Sequence, residues 1–290
     1  MNHLLYSFPA IRELAIWTED FESTDRIMEL RNVNRAVDAS AASAAWSKLI
    51  MFKGTLNGLF ILGLSSTAFH VYIRIDDPQE CDANKLATVL QDTKPTLLRL
   101  DICTEKSVRV DVFKQSGSES VIEGIQIITI KLDLTGSKFK TSEDVDDYFQ
   151  NLHGFINKLR TPFLCLHILF DTSSPRLRVR NLALKPYLRS IDPQSIAVRI
   201  SRGNTQILFI YVAINGHTPG FWRVHSQTPS SNSPMLKEFP THFADRIMDP
   251  QQALKAADEL KVNLKESPDG IPSVWTFGKQ SHDLLAPGFH

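Results

Sequence analysis

The stretch Pro95–Cys103, which reads Pro-Thr-Leu-Leu-Arg-Leu-Asp-Ile-Cys, has the spacing of a leucine-rich-repeat strand. Leu97, Leu100 and Ile102 occupy the three apolar positions of the pattern L-x-x-L-x-L. Because side chains alternate along a strand, the last two are expected to face inward, and the first to pack where the chain enters the strand. The same spacing recurs at Ile11, Leu14 and Ile16 and at Phe163, Leu166 and Ile168. The recurrence predicts parallel strands that share one interior.

The composition excludes several classes of protein. The chain has 290 residues and is 42% hydrophobic, which is enough for a continuous core. Lys+Arg and Asp+Glu are balanced at 32 each, so the whole chain carries no electrostatic footprint for nucleic acid. The longest apolar runs, at 163–166 and 207–214, are far shorter than the roughly 20 residues that span a bilayer. We therefore expect neither nucleic acid nor a membrane as a partner. We also expect the protein to be a monomer.

The cysteines predict neither a metal site nor a disulfide framework. Cys81, Cys103 and Cys165 are three in number, widely spaced, and form no C-x-x-C pair. The N-terminal residues lack a charged segment followed by a sustained apolar one, so no signal peptide is expected. The sequence therefore predicts an intracellular protein, cytoplasmic or nuclear, without a cofactor.

Periodic patterns predict the remaining elements. Alternating apolar residues predict strands at 11–17, 69–75, 108–112, 125–134, 163–170, 196–200, 206–214, 221–225 and 273–277. Helical spacing predicts helices at about 34–51, 82–91, 141–159 and 250–262, with loops at 19–31 and 173–192. Asn215 to Gly220 is rich in turn residues, which indicates a hairpin between the strands on either side. Strands that alternate with helices are typical of a parallel sheet with helices outside it.

We therefore expect an α/β fold of the leucine-rich-repeat type. Residues 1–226 are predicted to form an irregular solenoid with parallel strands inside and helices outside. Residues 227–290 are predicted to add a loop, a helix and a short strand that cap the same domain. Together with the hairpin, these residues complete the C-terminal end of the predicted fold.

Several segments of the chain resemble a known family. The segments are "LLYSFPAIRELAIW", "TVLQDTKPTLLRLDI", "TPFLCLHILF" and "QILFIYVAINGHTPGFWRV", and the resemblance extends from about residue 4 to residue 226. They resemble the leucine-rich-repeat region of F-box-like proteins of mushroom-forming fungi. The resemblance implies the substrate-recognition part of a cullin-type ubiquitin ligase. The F-box itself has no room before Phe8, so a ligase adaptor is expected as a partner only if an F-box precedes this chain.

Residues between the inward-facing positions are predicted to form a concave protein-binding face. Aromatic, arginine and histidine side chains are the types enriched at binding hot spots. The candidate residues for this face are Trp17, His70, Tyr72, Arg74, Arg99, Asp101, His167, Arg199 and Tyr211. Some of these residues can equally be half-buried packing residues, or lie on strands that are not neighbours. The bound protein itself is not predicted.

Two alternatives from other classes remain open. Cys165 and His167 stand two apart on a predicted strand and face the same way, and with Asp171 they could line the cleft of a hydrolase-type enzyme. Phosphate-binding, hydrolase and metalloprotease motifs are absent from the sequence, so the prediction is a non-catalytic protein without catalytic residues. The other alternative is a scaffold with no link to a ligase.

Overall fold

The structure is a computed structural model that describes part of the chain. The described residues are 12–17, 24–41, 49–64, 66–75, 83–103, 124–134, 139, 141–170, 184–225, 235–249, 251–253 and 255–259. The strands predicted at 108–112 and 273–277 lie outside the described residues, as do Ile11, Cys81 and Asp171.

The described residues form strands that alternate with helices over most of the chain. The strands are β1 (Glu13–Ile16), β2 (Met51–Thr55), β3 (His70–Ile75), β4 (Leu97–Cys103), β5 (Ile127–Asp133), β6 (Phe163–Leu169), β7 (Phe209–Ile214), β8 (Gly220–His225) and β9 (Met235–Phe239). The helices are α1 (Thr24–Ala41), α2 (Leu56–Leu62), α3 (Ala83–Thr93), α4 (Ser142–Lys158), α5 (Leu184–Ser190), α6 (Pro193–Gly203) and α7 (His242–Met248). Residues 255–259 are helical again. The alternation confirms the α/β class.

One mostly parallel sheet contains all nine strands, and each strand lies beside its neighbours in sequence. Strands β1 to β7 are parallel, and the β7–β8 and β8–β9 pairs are antiparallel. The predicted hairpin is confirmed as the β7–β8 pair, with Gly216 at a φ of 86° in its turn. No described helix is both long enough and apolar enough to cross a membrane.

One face of the sheet is a continuous apolar layer. Pairing aligns Ile73, Leu100, Ile130, Leu166 and Val212 in a row across five strands. Every side chain in this row is fully buried. The neighbouring row contains Leu14, which packs against the same core. The predicted inward facing of these leucines is therefore confirmed.

The first apolar position of the repeat pattern lies on the other face. Leu97 and Phe163 are buried, but they pack in a second cluster, separate from that of Leu100 and Leu166. Strict alternation along β4 explains the difference, because Leu97 is an odd number of residues from Leu100. Leu98 takes the inward position instead. Leu97 and Phe163 are the first residues of β4 and β6, so they pack where the chain enters each strand, as predicted, but on the face opposite the shared interior.

Helices α1 to α6 all pack on the face that Leu100 occupies. Helix α4 begins with a capping box, in which the Thr141 hydroxyl accepts a hydrogen bond from the Asp144 N–H and the Asp144 carboxylate accepts one from the Thr141 N–H. Its apolar stripe, buried against the sheet, is Val145, Tyr148, Phe149, Leu152, Phe155 and Ile156. Loss of water contact by this stripe fixes the helix to the sheet.

The helix predicted at 34–51 was wrong at both ends. Helix α1 covers Thr24–Ala41, and Met51 begins strand β2. Gly54 explains why β2 can lie against β1, since a Cβ at this position would be 1.9 Å from the Ile16 carbonyl oxygen. The strand therefore depends on a close backbone approach that helical spacing does not reveal.

The strand predicted at 196–200 was also wrong, because these residues lie in helix α6. Asp192 caps the helix by accepting a hydrogen bond from the Ser195 N–H at 2.9 Å, and Pro193 occupies the first turn. Ala197 and Ile200 form the buried stripe at a spacing of three. Residues 184–190, predicted as part of a loop, form helix α5.

The first prediction concerns the shared core. Leu100→Ala removes a fully buried side chain from the central row, so we expect a loss of about 2–5 kcal/mol in the free energy of unfolding. Lys131 lies on the adjacent strand and faces the other way, and Lys131→Ala is expected to change stability by about 0.5 kcal/mol or less. Urea unfolding of both variants measures the difference. Similar losses in the two variants would contradict the assigned faces.

Candidate functional site

The C-terminal part of the described chain covers one half of the sheet face that the helices leave open. We call residues 235–249, 251–253 and 255–259 the C-terminal cover. Its buried residues Phe239, Phe243, Ala244, Ile247, Ala253, Ala256 and Ala257 form a second hydrophobic cluster with Leu97, Ile127, Phe163, Cys165, Phe209, Tyr211 and Phe221 of the sheet. This cluster reaches from β4 to β9, so the cover closes that part of the face.

Aromatic rings dominate the layer beneath the cover. The Phe163 and Phe209 rings are stacked with centroids 5.1 Å apart, and Phe209 and Phe221 are stacked at 5.6 Å. Phe239 of the cover meets Phe209 edge-on at 5.7 Å. Such pairs contribute about 0.5–1.5 kcal/mol each beyond the area they bury. The cover is therefore a firmly packed layer of the fold.

Strands β1 to β5 carry a group of polar and aromatic side chains that no other described residues cover. We call Trp17, Tyr72, Arg74, Arg99, Asp101, Lys131 and Asp133 the polar patch. Trp17 follows β1 directly and is 52% exposed, and its ring meets the Tyr72 ring edge-on at 6.3 Å. The Arg99 guanidinium lies over the Tyr72 ring, 5.1 Å from the ring centroid. The three side chains form a ridge on the open face.

Asp101 holds the ridge in place. Its carboxylate accepts hydrogen bonds from Arg99 Nε at 2.9 Å and Arg99 Nη2 at 3.0 Å. The Tyr72 hydroxyl donates to the same carboxylate at 3.0 Å. Burial and the neighbouring Asp101 charge raise the pKa of Tyr72, so its hydroxyl stays protonated as a donor. A bidentate guanidinium–carboxylate pair fixes both planes, which presents Arg99 and Tyr72 in one rigid geometry.

A shallow cavity of about 140 Å³ lies beside this ridge. Its polar lining includes Arg74 and Asp101, which pair in register, and Lys131 and Asp133 of the next strand. Charges of both signs therefore alternate across a few ångströms of open surface. Such a surface can receive the polar side chains of another protein and set their register.

The structure brings five of the nine predicted face residues together in the polar patch: Trp17, Tyr72, Arg74, Arg99 and Asp101. His70, His167 and Tyr211 share the same face of the sheet, but they pack against or beneath the C-terminal cover. Arg199 belongs to helix α6, on the opposite side of the sheet, so its predicted place on the face was wrong. The prediction assumed the period of two of a strand, whereas this segment has the period of three to four of a helix.

Lys131 and Asp133 are members of the patch that the sequence did not single out. Lys131 lies between the inward-facing Ile130 and Leu132 on β5, and Asp133 lies between Leu132 and Leu134. They pair in register with Asp101 and Cys103. The alternation of β5 contains the signal that places them. Applying the facing rule of β4 to the next strand would have found both.

Cys165 and His167 do lie on one face, as predicted, but their surroundings differ from those of a reactive dyad. Cys165 is buried, which raises the pKa of its thiol to about 12, although the Thr129 side chain forms a hydrogen bond with it. A thiol in this state has little nucleophilic thiolate near neutral pH. His167 Nε2 lies 2.8 Å from Met248 Sδ of the cover, and its ring is 5.4 Å from the Tyr211 ring. Burial lowers the pKa of His167, which keeps the ring neutral.

His70 sits at the border between the cover and the polar patch. It is buried, and its Nδ1 has no hydrogen-bond partner among the described residues. Ile247 and Met248 of the cover, with Leu97 and Arg99 of β4, line the small space beside it. Burial, and then the charge of Arg99, lower the pKa of His70 to about 4. Within the described ranges, no three His, Cys, Asp or Glu side chains converge in a way that could hold a metal ion.

No protein-family model, no curated protein and no solved structure matches the chain. The class is therefore set by the fold and the site. It is an α/β protein with a nine-stranded, mostly parallel sheet among its described residues, helices on one face and an open polar patch beside a C-terminal cover on the other.

The second prediction concerns the pH dependence of stability. The folded-state pKa of His70 is about 4 and its ordinary value is 6.5, so between these pH values the unfolded chain binds a proton that the folded chain does not. Its contribution to stability is fully present above pH 6.5 and is lost as the pH falls toward 4. His70→Gln is expected to reduce the difference in unfolding free energy between pH 7 and pH 4.5. Urea unfolding of both proteins at both pH values measures this, and an unchanged difference would contradict the assignment.

Proposed function

We propose that the chain is a leucine-rich-repeat-like solenoid that binds another protein through its polar patch and does not act as an enzyme. The observation that carries the proposal is the ridge of Trp17, Tyr72 and Arg99, fixed by Asp101, on the part of the sheet that neither the helices nor the cover occupies. Aromatic and arginine side chains in a fixed arrangement are the usual anchors of protein interfaces.

Three features of the fold support the solenoid part of the proposal. Each parallel strand pairs with its neighbours in sequence, the apolar row that begins with Leu14 and Phe52 runs through all seven parallel strands, and helices α1 to α6 pack on one face. A stack of strand–helix units has this order, because each unit buries its apolar face against the next. In such a stack the other face of the sheet is left for ligands.

The charge pattern favours a protein partner with both acidic and basic side chains. Arg99 is neutralised by Asp101, and Lys53 lies 3.8 Å from Glu13 at the edge of the open face. Arg74, Arg99 and Lys131 against Asp101 and Asp133 leave the patch with an excess of one positive charge, which is too small to draw a polyanion. A partner of mixed charge with an apolar residue opposite Trp17 fits this surface.

Under the family resemblance, the partner is a target presented for ubiquitination, and the chain is the substrate-recognition part of an F-box-like ligase subunit. Docking to a ligase adaptor needs a helical F-box segment ahead of the repeats. A scaffold role without a ligase is the alternative in the same class. Both roles use the same patch.

The third prediction tests the patch. Proteins captured by the full chain from cells that express its gene are expected to bind at least about tenfold less well to Trp17→Ala or Arg99→Ala, since each change removes a hot-spot anchor. Met28→Ala and Arg189→Ala are matched controls, because both residues are exposed on helices of the opposite side. Quantitative mass spectrometry of the captured proteins gives the ratio. Equal loss in the patch and control variants would contradict the proposed face.

The fourth prediction separates the ligase role from the scaffold role. A protein expressed from the complete gene is expected to co-purify with a ligase adaptor and a cullin if the chain serves a ligase. The Trp17→Ala variant is expected to retain the adaptor while losing the target, because the patch is separate from any F-box. Absence of adaptor and cullin from the complete gene product would leave the scaffold role.

A further inference from the structure

A cavity of about 160 Å³ lies on the helical side of the sheet, between α4, α5 and α6. It is far from the polar patch, since helices and open face lie on opposite sides of the sheet. It is lined by apolar side chains together with acidic, basic and hydroxyl groups. A concave space with an apolar lining and a few convergent polar groups is the usual form of a small-molecule site.

The apolar lining is provided mainly by Phe149 and Leu152 of α4 and Ile196 and Ile200 of α6. An apolar cavity of about 150 Å³ is large enough to hold benzene. The space between α4 and α6 therefore has room for one isobutyl or phenyl group, with the polar end of the ligand at the mouth.

The polar lining contains one guanidinium and two carboxylates. Arg199 has no hydrogen bond or ion pair from its guanidinium within the described part of the chain. Burial, and then the nearby charge of Arg199, lower the pKa of His153. Burial, and then the hydrogen bond to Asp146 and its charge, raise the pKa of Tyr187 to about 12 against the opposing charge of Arg199. Both rings are therefore uncharged at neutral pH, and Arg199 is the positive group of the cavity.

The two carboxylates differ in how far the protein already uses them. Asp192 accepts hydrogen bonds from the Ser195 N–H at 2.9 Å and the Ser195 hydroxyl at 3.0 Å, as the cap of α6. Asp146 accepts one bond, from the Tyr187 hydroxyl to Oδ1 at 2.7 Å, and its Oδ2 has no bond among the described residues. The Tyr187 bond holds the Asp146 carboxylate in one orientation. Asp146 is thus the acceptor with capacity for a ligand.

We propose that this cavity binds a small zwitterion with an apolar side chain, of the chemical class of leucine or phenylalanine. The ligand carboxylate pairs with the Arg199 guanidinium, the ligand ammonium pairs with Asp146, and the side chain packs against Phe149, Leu152 and Ile200. A simple anion would face two carboxylates, and a simple cation would face the guanidinium. A zwitterion satisfies both signs at once.

The experiment is isothermal titration of the full chain with L-leucine and with L-phenylalanine. Two analogues of leucine test the two charges: L-leucinamide lacks the carboxylate, and N-acetyl-L-leucine lacks the ammonium. We expect one or both amino acids to bind and each analogue to bind at least about tenfold more weakly than leucine, since each loses a charge-assisted bond. Equal binding of either analogue, or no binding of either amino acid, would overturn the proposal.

Variants locate the binding. Arg199→Met and Asp146→Asn are expected to weaken it by at least about tenfold. Arg202→Met and Asp147→Asn are matched controls on the same two helices, and neither residue lines the cavity. Circular dichroism checks that each variant is folded, and if Arg199→Met does not fold, Asp146→Asn and the analogues decide. Equal weakening in the controls would place the binding elsewhere and overturn the proposal.

Discussion

The structure depends on rows of branched apolar side chains that run across the parallel strands in register. The rows are continuous because each strand pairs with its sequence neighbours and contributes a buried residue at the same level, as Leu100, Ile130 and Leu166 do. Period-two alternation then sends every intervening side chain to the opposite face. The register therefore decides which side chains that face carries. A slip of one residue in any strand would exchange the two faces of that strand.

The opposite face is divided by the C-terminal cover into two parts with different properties. Beneath the cover, phenylalanine rings and the buried Cys165 make an apolar layer. Beyond it, the Asp101 carboxylate organises charged and aromatic residues that remain accessible. His70 lies at the boundary, where the charge of Arg99 and contact with the cover both act on it. The same strands therefore carry a packed apolar surface and an accessible polar one.

Much of this arrangement follows from local patterns. Strands β3 to β7 are predicted by alternation and helix α4 by its helical spacing. The facing of Tyr72, Arg99 and Asp101 follows from the alternation of their strands. Strand β2 was missed because it depends on Gly54 lying against the Ile16 carbonyl. Helix α6 was predicted as a strand because Ile196, Val198 and Ile200 alternate, whereas the residues that it buries include Ala197 and Ile200, three apart. A C-terminal cap with a helix at 250–262 was predicted, but its packing on this face of the sheet could not be, since no local pattern records contacts between residue 167 and residue 248.

The position of the cover in the chain has a consequence for synthesis. Phe163 and Phe209 leave the ribosome well before Phe239, Phe243 and Ile247, which complete their aromatic layer. At translation rates of about 5–20 residues per second, that layer stays exposed to water for several seconds, while the strands that carry it can already pair. The nascent chain therefore exposes an aromatic surface during elongation, and covering that surface is a late step of folding.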